Sequence, residues 1–176
     1  MAKRSSSSRF VTRGKPASFR CQFGLRVALG WTIAYAVVMM AQVVWGVGPG
    51  AILLAAWWAS VQIGLGLAAG CLYRHQPAAW RWGAVAALLL TSGLLTLVAP
   101  PGILLPALQA LGLAGFSLVL YDLGKLTGRN LQAPGGVIFL AVVASYVLNT
   151  QLTAFIGLAL LALGAGLALR QLLLGT

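Results

Sequence analysis

Residues 131–176 read LQAPGGVIFLAVVASYVLNTQLTAFIGLALLALGAGLALRQLLLGT, and the number of times this stretch crosses a bilayer decides the fold. A spanning helix needs ~20 mainly apolar residues, because a hydrocarbon layer of ~30 Å is covered at ~1.5 Å per residue. The stretch is too long for one span, and its polar island is Asn149-Thr150-Gln151. Splitting there predicts a fifth helix, about Gly135 to Leu148, and a sixth, about Leu152 to Leu173. The fifth is short for a bilayer unless Leu131 to Pro134 contribute or the helix tucks against its neighbours.

Four apolar stretches precede it. The first runs from Leu25 to Trp45 and stops at the turn cluster from Gly46 to Gly50, where Pro49 forbids a straight continuation. The second, Gly50 to Tyr73, ends in Arg74-His75-Gln76-Pro77, and the third, Trp82 to Ala99, ends at Pro100-Pro101-Gly102. The fourth, Ile103 to Tyr121, carries Pro106 in its first turn, where a missing N–H costs nothing, and ends in the polar segment from Asp122 to Asn130. The predicted fold is therefore an all-α integral membrane protein of six transmembrane helices.

Composition supports this. The 176 residues include 60% hydrophobic side chains and 7% charged ones, with a mean hydropathy of +0.94. Soluble domains carry about 25% charged residues, so this chain has too few charges to coat a water-facing surface, and a soluble enzyme is excluded. The 22 glycines follow no triplet period, which excludes a collagen-like chain.

Charge placement gives an independent test of the helix count. There are 12 Lys and Arg against one acidic residue. With the N-terminus inside, the basic residues fall in the N-terminal arm, near Arg74 and Arg81, near Lys125 and Arg129, and at Arg170. The opposite connections, 46–49, 100–102 and 149–151, carry no charge. This is the positive-inside pattern without exception, and it predicts a multi-pass protein of the cytoplasmic (inner) membrane with both termini cytoplasmic. Arg20, Arg26, Arg74, Arg81, Lys125 and Arg129 are expected to meet anionic lipid headgroups. A nucleic-acid partner is not expected, because the basic residues form no DNA-reading helix and line no aromatic-studded sheet.

Residues 1–23 hold four consecutive serines and too little apolar area to fold, which predicts a disordered basic cytoplasmic arm ahead of a transmembrane domain at 24–176. A cleaved signal peptide fits poorly. The polar leader is too long, the apolar stretch outlasts a hydrophobic region of ~7–15 residues, and no convincing Ala-x-Ala site follows. The segments 24–99 and 103–176 each hold three spans, an odd number, and so run in opposite orientations. This is the geometry of an inverted repeat, although no residue-level similarity relates the two.

Side chains at the predicted span ends fit an interfacial belt, with Trp45 outside and Tyr73, Trp80, Trp82 and Tyr121 inside. Trp57 and Trp58 lie too deep for the belt and are read as packing residues. In lipid, close approach of small residues does much of the work of association. Gly64, Gly66 and Gly70 in the second span, and Gly164 and Gly166 in the last, are the expected packing positions.

The reactive inventory is thin. His75 is the one histidine, Asp122 the one carboxylate, and Cys21 and Cys71 the two cysteines. A metal site needs three or four clustered ligands, whereas only Cys71 and His75 are neighbours in sequence, so no metal or cofactor is expected. Both cysteines are predicted to face the reducing side, so no disulfide is expected. Asp122 is read as a local ion pair with Lys125 and Arg129. Acid–base catalysis needs a second titrating partner, and the chain is expected not to be an enzyme. Gln62 and Gln109 are the most deeply placed amides. They are read as interhelical hydrogen-bonding groups and, with Ser60 and Ser117, as the candidate substrate pathway.

The segments FRCQFGLRVAL (19–29), GPGAILLAA (48–56), YDLGKLTGR (121–129) leading into Gly135 and Gly136, and GAGLALR (164–170) resemble the membrane half of the fusaric acid resistance and aromatic acid exporter (FUSC-like) families. Members of these families carry two such halves and often a soluble cytoplasmic domain. The resemblance implies a half-size, efflux-type unit for organic, aromatic anions that forms a homo-oligomer or joins partner membrane subunits. The alternative expectation is a non-catalytic accessory or assembly subunit of a larger membrane complex.

Overall fold

A computed structural model describes residues 19–46, 48–75, 80–98, 104–147 and 150–174. Six helices follow one another: α1 (Phe19–Trp45), α2 (Ala51–His75), α3 (Trp80–Val98), α4 (Leu104–Thr127), α5 (Gln132–Val142) and α6 (Gln151–Leu174). A π-helical turn, Val143–Val147, extends α5. Five of the helices are long and apolar enough to cross a membrane, and the shorter apolar helix Gln132–Tyr146 completes the set.

The ends of these helices have local causes. Gly46 adopts φ +66, which an L side chain rarely tolerates, and its N–H bonds the Gln42 carbonyl at 2.9 Å, so α1 closes there. Gly128, at φ +68, closes α4 in the same left-handed conformation. The α4 helix therefore runs through Asp122 and Lys125 to Thr127, beyond the end expected at Tyr121. Thr150 works as a cap for α6: its hydroxyl accepts the Thr153 N–H at 3.2 Å, and the Thr153 hydroxyl accepts the Thr150 N–H at 2.9 Å. At the other terminus α1 begins at Phe19, so residues 19–23, expected within the arm, are helical. The rest of the arm lies outside the described residues.

Each helix packs against the next, and α6 returns to pack against α1, so the six form a closed ring in sequence order. Short connections make successive helices antiparallel. Glycines set the spacing. A Cβ on Gly66 would stand 2.9 Å from Leu90 Cγ and 3.2 Å from the Ala86 carbonyl, and one on Gly93 would stand 3.0 Å from the Ala59 carbonyl, so α2 and α3 meet almost backbone to backbone. The same holds between α4 and α5, where a Cβ on Gly135 would lie 2.7 Å from the Ser117 carbonyl. Gly164 lies as close to α5, its Cβ position being 3.1 Å from the Ile138 nitrogen. Gly64 and Gly70 face Ala28 and Ala86 in ordinary contact. Gly166, expected to pack, has open space where a Cβ would go.

The outer surface of the ring is apolar. Exposed large hydrophobic residues occur on every helix, among them Val37, Leu67, Leu94, Leu118, Phe139 and Leu163. Buried hydroxyls are satisfied within their own helices, which lets them sit among apolar neighbours: Thr32 donates to the Ala28 carbonyl at 2.8 Å and Ser92 to the Leu89 carbonyl at 3.1 Å.

Candidate functional site

Inside the ring, toward the end that carries the uncharged connections, lies a cavity of about 320 Å³. Helical spacing builds its walls. Tyr35 and Met39 are one turn apart on α1, as are Gln109 and Leu113 on α4, while Gly157, Leu158 and Leu161 share a face of α6. Trp58 enters from α2. The π turn contributes Ser145 and Tyr146, and the extra residue in that turn re-aims both side chains inward. A Cβ on Gly157 would overlap the Ser145 hydroxyl, so that position has room only for glycine.

The polar wall is a relay of hydrogen bonds across three elements. Tyr146 OH donates to Gln109 Oε1 at 3.4 Å, a long bond, and Gln109 Nε2 donates to Thr96 Oγ1 at 3.0 Å. Thr96 Oγ1 in turn donates to the Ser92 carbonyl at 2.7 Å. Opposite stands an aromatic group: Tyr35 stacks on Trp58 with centroids 4.8 Å apart and meets Trp57 edge-on at 6.0 Å. Trp57 also contacts Trp31 at 5.1 Å. Among the described residues that line the cavity none is charged.

The four candidate pathway residues are not brought together. Gln109 lines the cavity. Gln62 is 0% exposed, packed behind Gly93 of α3, and neither Oε1 nor Nε2 has a hydrogen-bond partner among the described residues. Ser117 is buried and donates to the Ala114 carbonyl at 2.6 Å, so its hydroxyl is committed to its own helix. Ser60 is exposed on the outer face, where it accepts from Trp31 Nε1 at 2.7 Å and donates to the Trp57 carbonyl at 2.6 Å. Sequence reasoning missed Tyr35 and Tyr146. Tyr35 lies mid-span, away from the interfaces where such rings usually rest, and that was the available signal, whereas Tyr146 sits at the end of its helix and carried no such signal.

The other end of the ring gathers the charge. Arg26 Nη2 donates to the Leu172 carbonyl at 2.6 Å, capping the C-terminus of α6 where the helix dipole favours a cation, instead of reaching out to headgroups. Asp122 pairs across helices with Arg81 at 3.5 Å and accepts from Trp82 Nε1 at 3.4 Å. This replaces the local pairing expected with Lys125 and Arg129, because the end of α4 lies beside the start of α3. Lys125 instead sits over the Tyr121 ring, 4.4 Å from its centroid. Trp82, expected in the interfacial belt, is 2% exposed and belongs to the core, its indole N–H satisfied by Asp122.

The cysteines give the largest correction. Cys21 and Cys71 are joined as a disulfide between the start of α1 and the end of α2, with Cα atoms 5.6 Å apart. The expectation of no disulfide rested on both cysteines facing the reducing side, whereas antiparallel packing of α1 on α2 brings the two positions level and within bonding reach. The ligand atoms of Cys21, Cys71 and His75 all lie within 4.8 Å of one another, so the two sequence neighbours Cys71 and His75 belong to a cluster of three. No protein-family model matches the chain, and no curated protein or solved structure matches it either.

Proposed function

We propose that this chain is a transport unit that carries small aromatic organic acids across the cytoplasmic membrane, with its basic end at the cytoplasmic face. The cavity bounded by Tyr35, Trp58, Gln109 and Tyr146 is the observation that carries this reading. Its volume is at the lower end of the range for small-molecule pockets, and it combines flat aromatic walls with a few polar groups, as such pockets do. A ring-bearing acid suits it: the ring stacks on Trp58 or Tyr35, and the polar head meets the tyrosine hydroxyls.

Charge assigns different tasks to the two ends. The basic end raises the local concentration of anions, as any cationic surface does. The cavity has no countercharge, and a carboxylate buried there would lack compensation for the water it loses. The acid is therefore held in its neutral, protonated form, and no intramembrane lysine or arginine is needed. The resemblance to aromatic acid exporters supports the same substrate class. The same resemblance implies that this ring works beside a second one, in an oligomer or with a partner subunit.

The test is binding and flux with substituted benzoic acids. Binding to the purified protein in detergent is expected to quench tryptophan fluorescence, with the quench reduced in Trp58→Phe and the affinity reduced in Tyr146→Phe. Proteoliposomes are expected to release preloaded acid faster than empty-lipid controls. No quench and no flux with any of these acids would overturn the proposal.

A second reading, a non-catalytic subunit of a larger complex, is favoured by a groove of about 440 Å³ on the outer face between α1 and α2, where Gly24, Ala28, Gly64 and Ala68 leave a small-residue track. Purification in mild detergent separates the two readings. A stoichiometric foreign chain supports the subunit role, and a self-oligomer supports transport.

A further inference from the structure

We propose that the reduced form of the Cys21–Cys71 pair, together with His75, is a binding site for a single monovalent copper ion. The site stands at the opposite end of the ring from the cavity and does not depend on the transport reading. Three observations carry it. Cys71 and His75 are four residues apart on α2 and so share a helix face, and Cys21 meets them from α1. The three ligand atoms already lie within 4.8 Å of one another. Burial grades across the cluster, from buried Cys21 through half-buried Cys71 to exposed His75, which leaves the imidazole side as the way in.

The donor set selects the cation. Two thiolates and one imidazole are soft ligands that suit Cu⁺ or Zn²⁺. Three donors complete a trigonal shell for Cu⁺, whereas Zn²⁺ on the same donors has to take a water as its fourth ligand. Among the described residues the cluster has no fourth Cys, His, Asp or Glu, and the one carboxylate of the chain, Asp122, is engaged with Arg81 and Trp82. A trigonal centre with metal–sulfur bonds of ~2.3 Å separates its sulfurs by ~4 Å, which side-chain rotation allows at the observed Cα spacing.

The chemistry balances in two steps. Two equivalents of a glutathione-class thiol reduce the disulfide, supplying two electrons and two protons, to give two cysteine thiols and the reductant's own disulfide. Cu⁺ then displaces the two thiol protons and takes the neutral imidazole, leaving a centre of net charge −1, with Arg20 and Arg74 adjacent in sequence to its ligands. The site is thus open in a reducing compartment and closed by oxidation.

The test uses the full chain in detergent, reduced and desalted without oxygen, and titrated with Cu⁺ held by a chromophoric chelator. The expected result is one Cu⁺ per chain, with two sulfur neighbours and one nitrogen neighbour in X-ray absorption. Affinity should fall at least about ten-fold in His75→Ala, and binding should disappear in the Cys21→Ser/Cys71→Ser double variant and in the oxidised wild type. His75→Ala retains both cysteines, and re-formation of its disulfide checks that it has folded. Equal Cu⁺ binding by the wild type and the double variant would overturn the proposal, as would displacement of Cu⁺ by equimolar Zn²⁺.

Discussion

Replacing Gln62 by leucine should stabilise the protein, although it removes a polar group from a position where amides usually hold helices together. The side chain is fully buried between α2 and α3, and both its oxygen and its nitrogen lack partners among the described residues. A buried polar group without a partner costs about 1–3 kcal/mol, and in the unfolded state water or detergent headgroups satisfy both atoms. Two such groups give a penalty of about 2–6 kcal/mol, and exchanging one branched shape for another costs less than about 1.5 kcal/mol in packing. The net expectation is a gain of at least about 0.5 kcal/mol, which is roughly two-fold or more in the unfolding equilibrium. The same substitution at Gln109 should have the opposite sign, a loss of about 1 kcal/mol, because it breaks the bond to Thr96 and removes the acceptor of the half-buried Tyr146 hydroxyl. Unfolding by SDS in mixed micelles, followed by far-UV circular dichroism, measures both. A loss of more than about 1 kcal/mol in Gln62→Leu would refute the reasoning, since it would mean that the native amide is bonded after all.

Three other substitutions have definite outcomes. Gly164→Ala should lose about 1–3 kcal/mol, because the new methyl meets the backbone of Ile138 and Pro134, whereas Gly166→Ala, facing open space, should be neutral or gain up to about 1 kcal/mol in helix propensity; thermal unfolding in detergent separates them. Thr150→Ala removes the hydroxyl that accepts the Thr153 N–H and should cost about 1 kcal/mol in the same assay. Asp122→Asn should cost less than about 1 kcal/mol, because its partner Arg81 is mostly exposed, and the small loss should shrink further in high salt.

Much of this architecture was legible in one dimension because a bilayer imposes a length on every crossing and a cost on every buried charge. Runs of apolar residues, interrupted at Pro49, Pro77, Pro100, the polar segment 122–130 and the 149–151 island, marked six helices, and those interruptions are local events written in turn and capping residues. The extension of α4 to Thr127 was not legible, since polar residues at a helix end read as a loop until Gly128 is seen to close the last turn. Packing glycines could be nominated, but a glycine on an outer face and one against a neighbour look alike in a string of letters. Gly164 and Gly166 therefore separated only when α5 was laid against α6.

The site is a different matter. Gln109 could be singled out as a buried amide, yet its role depends on Tyr146, far along the chain and re-aimed by a π turn that has no sequence signature. The Cys21–Cys71–His75 cluster and the Asp122–Arg81 pair likewise join positions that only the pairing of antiparallel helices makes level. What the letters alone determined was how many helices form and where charge is tolerated, because those follow from each segment's own transfer between water and lipid. What tertiary structure decided was which polar groups meet, because that depends on the rotation and register of one helix against another, and in an apolar environment those are set by close packing of small residues.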